Sequence, residues 1–213
     1  MIFLFDFDGT LVDSMPTFAN AMIKVLEDNG IDYPDDIVKI LTPLGYQGAA
    51  DYYIKMGIKA PREEIVKEMQ KYALHEYTLT VPAKENVVDT LRLLKGRGKS
   101  LNILTASPQL VLVPCLKRLG IYELFDNVWS CEDFNTSKAD PEIYKMVAER
   151  LGVAVNEIIF VDDNTGACKT AKTAGVNVWG IYDKSSEDYV GEMKKICDKY
   201  IYDFKELGEI NVY

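Results

Sequence analysis

Two carboxylates near the start of the chain have a spacing that suits metal or phosphate chemistry. Asp6 and Asp8 stand two residues apart, directly after the apolar run Ile2–Phe5, and Gly9 follows them. Like charges this close repel each other, so the pair is unfavourable at a strand end unless a cation relieves it. Gly9 permits a turn that other residues avoid, and Thr10 is available to hydrogen-bond within that turn. Alone, the pair could be a solvated acidic turn; with the residues described next, it indicates a cation site.

Polar residues also accompany later apolar runs. Thr105 follows the run LNIL, and Asp162 and Asp163 follow the run IIFV. Lys138 stands at the start of a predicted helix, in the segment SKADP. Carboxylates suit a hard cation such as Mg²⁺, and a lysine and a hydroxyl can hold phosphate oxygens. Taken singly, these residues could be a surface carboxylate, a locally bonded hydroxyl and a solvated lysine.

The elements that must position these residues alternate along the chain. Four apolar runs predict strands buried on both faces, as in parallel sheets: Ile2–Phe5, Leu101–Leu104, Ile158–Val161 and Val176–Ile181. Helical patterns that each stop at a glycine lie around them, at residues 87–96, 110–119, 141–151 and 165–174. This alternation predicts an α/β fold with a Rossmann-like open parallel sheet flanked by helices. The polar residues would then share one sheet edge.

One long region breaks the alternation. Every pattern between residues 15 and 79 looks helical, and no strand is convincing there. We therefore predict a helical cap domain over 15–79, inserted after the first strand, and an α/β catalytic core formed by 1–14 and 80–213. Open α/β sheets bind ligands at the carboxyl edge of their strands, where this insertion begins. We expect the insertion to cover an active site.

Composition and charge exclude several classes of protein. The formal net charge is −9, from 24 basic and 33 acidic residues, and no basic face is visible, so no nucleic-acid partner is expected. No apolar stretch approaches the ~20 residues of a membrane span, and no basic segment precedes the first apolar run, so neither a membrane nor a signal peptide is expected. The four cysteines have no metal-binding spacing, which favours buried thiols. We expect a cytoplasmic monomer or homodimer.

Four motifs carry a family resemblance. DFDGTLVDS, LNILTAS, SKADPEIY and IIFVDDN resemble, in order, the four motifs of the haloacid dehalogenase superfamily of aspartate-nucleophile phosphatases. The similarity spans residues 3 to about 181 and is greatest to the branch with a helical cap, near phosphoglycolate phosphatase and β-phosphoglucomutase. The nine-residue first motif is specific alone, whereas the other three are specific through their order.

The resemblance implies roles for individual residues. Asp6 corresponds to the nucleophile, and Asp8 to the general acid/base whose backbone carbonyl binds the metal. Thr105 and Lys138 correspond to the residues that hold the phosphate. The implied activity is Mg²⁺-dependent hydrolysis of a small phosphorylated metabolite through an aspartyl-phosphate.

The metal site and its surroundings depart from the family pattern. Asp6 and Asp163 correspond to metal ligands, and Asp162 is an additional candidate ligand. Many relatives carry a second acid at the position of Ala167. Ala139 replaces a frequent proline in the third motif, which we expect to loosen that loop. The segment 82–84, which reads PAK instead of PGV, is expected to be peripheral.

Two other functions stay open. The resembling sugar-phosphate mutases carry a histidine after the first motif, but Met15–Met22 has none, and His75 is the only histidine of the chain. A mutase therefore ranks second, followed by a non-catalytic phosphate-binding protein. Substrate choice is expected to depend on cap residues, with Tyr46 and Gln47 as candidates, and His75 is expected to lie at the surface.

Overall fold

A parallel six-stranded sheet forms the centre of the structure, a computed structural model that describes residues 1–41 and 44–209. The strands are β1 (Ile2–Phe5), β2 (Ser100–Thr105), β3 (Asn127–Ser130), β4 (Ile158–Asp162), β5 (Asn177–Ile181) and β6 (Lys199–Ile201). Their order across the sheet is β3-β2-β1-β4-β5-β6, and every neighbouring pair is parallel. The predicted Rossmann-like fold class is confirmed.

Helices connect the strands and make up the insertion after β1. In the described residues they are α1 (Met15–Asp28), α2 (Ile37–Leu41), α3 (Gly45–Met56), α4 (Arg62–Leu79), α5 (Val87–Gly96), α6 (Gln109–Arg118), α7 (Glu142–Leu151), α8 (Thr165–Ala174) and α9 (Val190–Ile196). Two of them stop where the sequence predicts: Gly152 and Gly175 follow α7 and α8 with φ of 69° and 90°. Positive φ is accessible to glycine without steric cost, so each glycine ends its helix.

The register of the central strands explains why the polar residues meet. Ile2 pairs with Ser100 on one side and with Ile158 on the other, and the three strands then advance in step. The side chains of β1 and β4 are almost wholly buried and, apart from Asp162 at the end of β4, apolar, as expected for strands covered on both faces. The residues that follow β1, β2 and β4 therefore emerge side by side at the carboxyl edge.

Two strands were missed in the sequence. β3 and β6 are the outermost strands, and three residues of β3 and two of β6 are only partly buried. A half-exposed edge strand carries polar residues such as Asn127 and Lys199, so it lacks a continuous apolar run. The apolar-run criterion therefore found the four inner strands and no edge strand.

The chain divides into two compact units: Met1–Asp13 with the chain from Pro82 onward, and Ser14–Val81. The second unit contains α1 to α4 and has a hydrophobic core of its own. Tyr53 is fully buried in that core, and its hydroxyl donates to the carbonyl of Met22 at 2.8 Å. The unit begins one residue before the predicted insertion and ends two residues after it.

Two further features of the described residues concern the helices and the cysteines. None of the helices in residues 1–41 and 44–209 combines the length and apolar character that a bilayer crossing requires. All four cysteines are free thiols, three buried and one half-buried, as the sequence predicted.

Candidate active site

Three carboxylates converge at the carboxyl edge of β1 and β4. The amide of Asp6 donates to the carbonyl of Val161 at 2.9 Å, which continues the β1–β4 pairing beyond Phe5. Asp162 is the last residue of β4, and Asp163 follows it. Asp6, Asp162 and Asp163 are 5%, 0% and 7% exposed, and each offers an oxygen within 4.8 Å of the others. Asp162 is therefore no surface carboxylate.

Lys138 places a positive charge among these carboxylates. Its Nζ donates to Oδ1 of Asp6 at 2.5 Å and to Oδ2 of Asp162 at 2.8 Å. The lysine side chain is only 12% exposed. Lys138 is thus a nearly buried cation shared by two carboxylates rather than a solvated residue before a helix.

The loop that carries Lys138 is held by hydrogen bonds although it lacks the frequent proline. The hydroxyl of Thr136 donates to Oδ2 of Asp140 at 3.1 Å, and the other oxygen of Asp140 accepts from the amide of Glu142 at 3.0 Å. The amide of Asp140 donates to the carbonyl of Ser137 at 3.0 Å. These bonds close the turn before α7, and a looser loop at Ala139 stays a prediction.

The charges of this cluster are unbalanced. Burial raises the pKa of the Asp6 carboxyl well above its usual range; Lys138 opposes this shift, and Asp162 and Asp163 reinforce it. Burial, followed by the charge of Asp162, also raises the pKa of Asp163 to about 7. Burial disfavours the Lys138 ammonium, but Asp162 and Asp6 outweigh it and raise the pKa of Lys138. One ammonium does not neutralise three carboxylates.

This donor set fits a hard divalent cation. Carboxylate oxygens are preferred ligands of Mg²⁺, and a cation would favour the ionised forms that burial and mutual repulsion disfavour. The oxygens of Asp6, Asp162 and Asp163 are close enough together to bind one ion. Both oxygens of Asp162 already accept hydrogen bonds, one from Lys138 and the other from the amide of Asn164 at 2.6 Å.

Gly9 allows the first-motif turn to approach the carboxylates. Its φ is +75°, and a Cβ placed there would lie 2.7 Å from Oδ2 of Asp163. The turn closes with the amide of Leu11 donating to the carbonyl of Phe7 at 2.9 Å. The expectation that Thr10 bonds within the turn is wrong, because its hydroxyl donates to Oδ1 of Asp163 at 3.1 Å.

Ser107 connects Asp8 and Thr105, and sequence reasoning missed it. Its hydroxyl donates to Oδ2 of Asp8 at 2.5 Å, and its amide donates to the Thr105 hydroxyl oxygen at 3.0 Å. Thr105 is 1% exposed at the end of β2. The one available signal was the position of Ser107, two residues after Thr105 in a motif that the sequence had already singled out.

Lys84 and Ser186 were also missed. The ammonium of Lys84 donates to the carbonyl of Gly9 at 2.6 Å, so the segment 82–84 is not peripheral. The hydroxyl of Ser186 donates to Oδ2 of Asp163 at 3.1 Å. Asn164 caps α8, where its side chain accepts from the amide of Ala167 at 3.0 Å.

The candidate specificity residues lie in the other compact unit. Tyr46 is half-buried against the core of that unit, and Gln47 is exposed. His75 has 65% of its side chain exposed, beside Glu76, which agrees with a surface position. The role of Tyr46 and Gln47 in substrate choice stays a prediction.

Comparison with known proteins identifies the family. The family model for haloacid dehalogenase-like hydrolases matches residues 3–181. The chain belongs to this family. The match contains all four motifs, the whole of the unit Ser14–Val81 and the other unit as far as residue 181. The resemblance inferred from the sequence is therefore confirmed.

Relatives of this haloacid dehalogenase-like protein are named as phosphatases. A phosphorylated carbohydrates phosphatase of Thermotoga maritima is 27% identical over 180 residues, which cover 84% of this chain and 83% of the relative. The phosphoglycolate phosphatase of Escherichia coli K12 is 27% identical over 196 residues, covering 80% and 77%. The enzyme class predicted from the motifs, a phosphatase, is confirmed.

Solved structures confirm the fold. A protein of Thermotoga maritima provisionally described as a β-phosphoglucomutase superposes with a TM-score of 0.82 and 22% identity, covering 98% of this chain and 96% of that protein. At this identity the likeness supports the fold and gives no information about the substrate.

Proposed function

We propose that this phosphatase hydrolyses a small phosphate monoester with Mg²⁺ as cofactor and with Asp6 as the nucleophile, through an aspartyl-phosphate intermediate. The observation that carries the proposal is the arrangement of Asp6, Asp162 and Asp163 around the ammonium of Lys138 at one sheet edge. A nucleophilic carboxylate needs nearby positive charge to approach a phosphate dianion. This sheet edge carries the Lys138 ammonium and also carboxylates that could bind a metal cation.

In the first step Asp6 attacks phosphorus in line and the ester oxygen leaves. Lys138 touches Asp6 directly, so its ammonium is close enough to stabilise negative charge on the transferring phosphoryl group. The Thr105 hydroxyl lies at the end of the neighbouring strand and is proposed to hold a phosphate oxygen. Asp6 is 5% exposed, so its carboxylate has little contact with water.

Asp8 is proposed to move the protons. It would protonate the leaving oxygen in the first step and take a proton from the attacking water in the second. The Ser107 hydroxyl holds one oxygen of the Asp8 carboxylate, which fixes its orientation for both transfers. Asp6 accepts from Lys138 and Asp8 from Ser107, so the two carboxylates have separate partners that suit separate roles.

The residues proposed to hold Mg²⁺ are Asp6, Asp163, the backbone carbonyl of Asp8 and, as an additional ligand, Asp162. When bound, Mg²⁺ would offset the repulsion between the nucleophilic carboxylate and the phosphate. Thr10 and Ser186 each donate to a different oxygen of Asp163 and orient that carboxylate.

The substrate is proposed to be a small phosphorylated metabolite. The relatives named above act on phosphorylated carbohydrates and on phosphoglycolate, which makes both classes the first to test. We propose that the helical unit 15–79 acts as the cap over the 1–14 and 80–213 core, with Tyr46 and Gln47 affecting selectivity. A cytoplasmic location and a monomeric or homodimeric state remain predictions.

The proposal is tested by phosphate release from a panel of phosphorylated sugars and carboxylic acids, with Mg²⁺ or with chelator. We expect Mg²⁺-dependent release, little restoration by Ca²⁺, which prefers looser coordination, and none from Asp6→Asn. Full activity after exhaustive chelation would refute the metal assignment. Formation of an isomeric sugar phosphate, with no release of free phosphate, would establish the mutase alternative. Phosphate binding without either product would establish the non-catalytic one.

A further inference from the structure

Lys84 is a nearly buried lysine that the proposed chemistry does not use. Its side chain is 18% exposed, and its ammonium donates to three acceptors: the carbonyl of Gly9 at 2.6 Å, the carbonyl of Tyr182 at 2.7 Å and Oδ2 of Asp183 at 2.9 Å. Gly9 belongs to the turn that carries Asp8, whereas Tyr182 and Asp183 follow β5. One ammonium therefore joins the first-motif turn to a loop far away in the sequence.

The loop after β5 leads back to the carboxylate cluster. Asp183 begins the short turn Lys184–Tyr189 by accepting from the amide of Ser185 at 2.9 Å. The amide of Ser186 donates to the carbonyl of Asp183 at 3.1 Å, and the hydroxyl of Ser186 donates to Asp163 at 3.1 Å. Asp163 is in turn bound by Thr10, the neighbour of Gly9. The hydrogen bonds thus close a ring from Gly9 through Lys84 and Ser186 to Asp163.

The ion pair within this ring, between Lys84 and Asp183, is largely buried. Asp183 is 6% exposed, and although burial works against its charged form, the hydrogen bonds from Lys84 and Ser185 outweigh burial and lower its pKa. Lys84 and Asp183 are therefore a charged pair removed from water. Such a pair is costly to bury and contributes little net stability, which favours a role in positioning.

We propose that Lys84 and Ser186 are positioning residues that set the distance between the Gly9 turn and Asp163, and so determine the Mg²⁺ affinity of the site. The inference rests on the proposed function and deepens it. Ser186 donates to Asp163, a proposed metal ligand, and Lys84 donates to the carbonyl of Gly9, the residue after Asp8, whose own carbonyl is a proposed ligand. Partners of metal ligands typically change metal affinity by about 10- to 100-fold.

The test is calorimetric titration of Mg²⁺ into the metal-free full chain, a readout that is independent of turnover. Lys84→Met and Ser186→Ala should each raise the Mg²⁺ dissociation constant about tenfold or more. Lys84→Arg keeps the charge and donors and should recover part of the affinity. At saturating Mg²⁺, kcat of Ser186→Ala should return towards the wild-type value, since the residue acts through Asp163 and not on the substrate.

Matched controls lie on the same unit. Lys95 and Ser100 both bind the carboxylate of Asp126, at the amino end of β2. Lys95→Met and Ser100→Ala are therefore the same substitutions at a lysine and a serine that bind an aspartate outside the metal site. Each should leave the Mg²⁺ dissociation constant within about twofold of wild type, a far smaller change than the loss of a metal-ligand partner causes. If Lys84→Met fails to fold, Lys84→Met/Asp183→Asn removes both charges of the pair, and Ser186→Ala removes a single hydroxyl from a half-buried residue.

The outcomes separate this inference from the proposed function. Folded variants that bind Mg²⁺ as tightly as wild type, in an active enzyme, would overturn the positioning role and leave the phosphatase proposal intact. A wild-type chain that binds no Mg²⁺ would overturn both. Weaker Mg²⁺ binding by Ser186→Ala and by Lys84→Met, or by Lys84→Met/Asp183→Asn where the single variant does not fold, would establish the role if the control variants bind Mg²⁺ as wild type does.

Discussion

Asp6 and Asp8 are separated by one residue but have different partners, Lys138 and Ser107. Asp6→Asn should therefore form no phosphoenzyme with any substrate. Asp8→Asn keeps its backbone carbonyl and loses the proton relay. With p-nitrophenyl phosphate, whose leaving group needs little acid assistance, the first step should partly survive. The second step should slow by about 10²- to 10⁴-fold, because water then lacks its general base.

Rapid-quench mass spectrometry distinguishes these two variants. Asp8→Asn should carry one added phosphoryl group on Asp6, with a burst of released p-nitrophenol. A phosphoenzyme in Asp6→Asn would show that another residue is the nucleophile. Turnover of Asp8→Asn near that of wild type, without accumulation, would show that Asp8 is not the acid/base.

The raised pKa of Asp163 predicts how the free energy of unfolding of the metal-free chain depends on pH. Its pKa is about 7 in the folded chain and about 3.9 when unfolded, so only the folded chain binds this proton between those values. The free energy of unfolding without metal should therefore fall as pH rises from 5 to 7 and then level off. Mg²⁺ binds the ionised carboxylates, so its stabilising effect should grow over the same range.

Urea unfolding in chelator and in Mg²⁺, at pH 5, 6 and 7.5, measures this dependence. Asp163→Asn is the matched control, since it removes one of the two carboxyls with a raised pKa and should make the metal-free slope shallower; Asp6 accounts for the slope that remains. Carboxyls with lowered pKa, such as Asp126, titrate below this range and do not contribute. Metal-free stability that rises between pH 5 and 7 would contradict the assignment.

The residues found from the sequence and those missed differ in chemical type. Asp6, Asp162 and Asp163 could be predicted because carboxylates at the ends of buried runs have few roles other than chemistry. Ser107 and Ser186 could not, because a serine in a polar segment is most often a solvated or capping residue. Lys84 is one of many lysines. Its three acceptors follow β1 and β5, which are far apart in the sequence and have β4 between them in the sheet, so only the fold brings them to Lys84.

At the scale of elements, the turn after β1 places the carboxylates, and Gly9 is its critical residue. Gly9→Ala combines a left-handed backbone with a Cβ 2.7 Å from Asp163, whereas Gly98 has φ of +69° and nothing within 4 Å of a Cβ. Gly98→Ala should therefore cost about 1–2 kcal/mol of stability. Gly9→Ala should cost more and should also weaken Mg²⁺ binding.

Urea unfolding and Mg²⁺ titration of both alanine variants make this comparison. Equal losses of stability with unchanged Mg²⁺ affinity would show that Gly9 serves only backbone conformation. The turn itself was predictable, because glycine after an acidic pair at a strand end indicates one. Its closeness to Asp163 was not, because that contact depends on the parallel pairing of β1 with β4.

At the scale of the whole molecule, the insertion and the sheet unit are separately compact, each with its own hydrophobic core. Their approximate boundaries follow from the change in sequence periodicity, which reports local structure. The substrate does not follow, because Tyr46 and Gln47, the residues proposed to affect selectivity, are of types common at any surface. The phosphatase class is thus predictable from motif residues, while the substrate requires experiment.

The proposed role of the insertion predicts selective effects at Gln47 and Tyr46. Gln47 is exposed, so Gln47→Ala should not affect folding, and Tyr46→Phe keeps the ring that packs against the core of the insertion. Both should change kcat/KM for the preferred metabolite relative to other esters, since lost substrate contacts act on transition-state binding. Acetyl phosphate, which is too small to reach many contacts, should be affected less.

Gln70→Ala, at an exposed glutamine of α4, is the matched control and should leave all ratios unchanged. Kinetics on the same substrate panel measure these ratios, and equal losses on every substrate would instead place this segment among the groups that act on the phosphoryl centre.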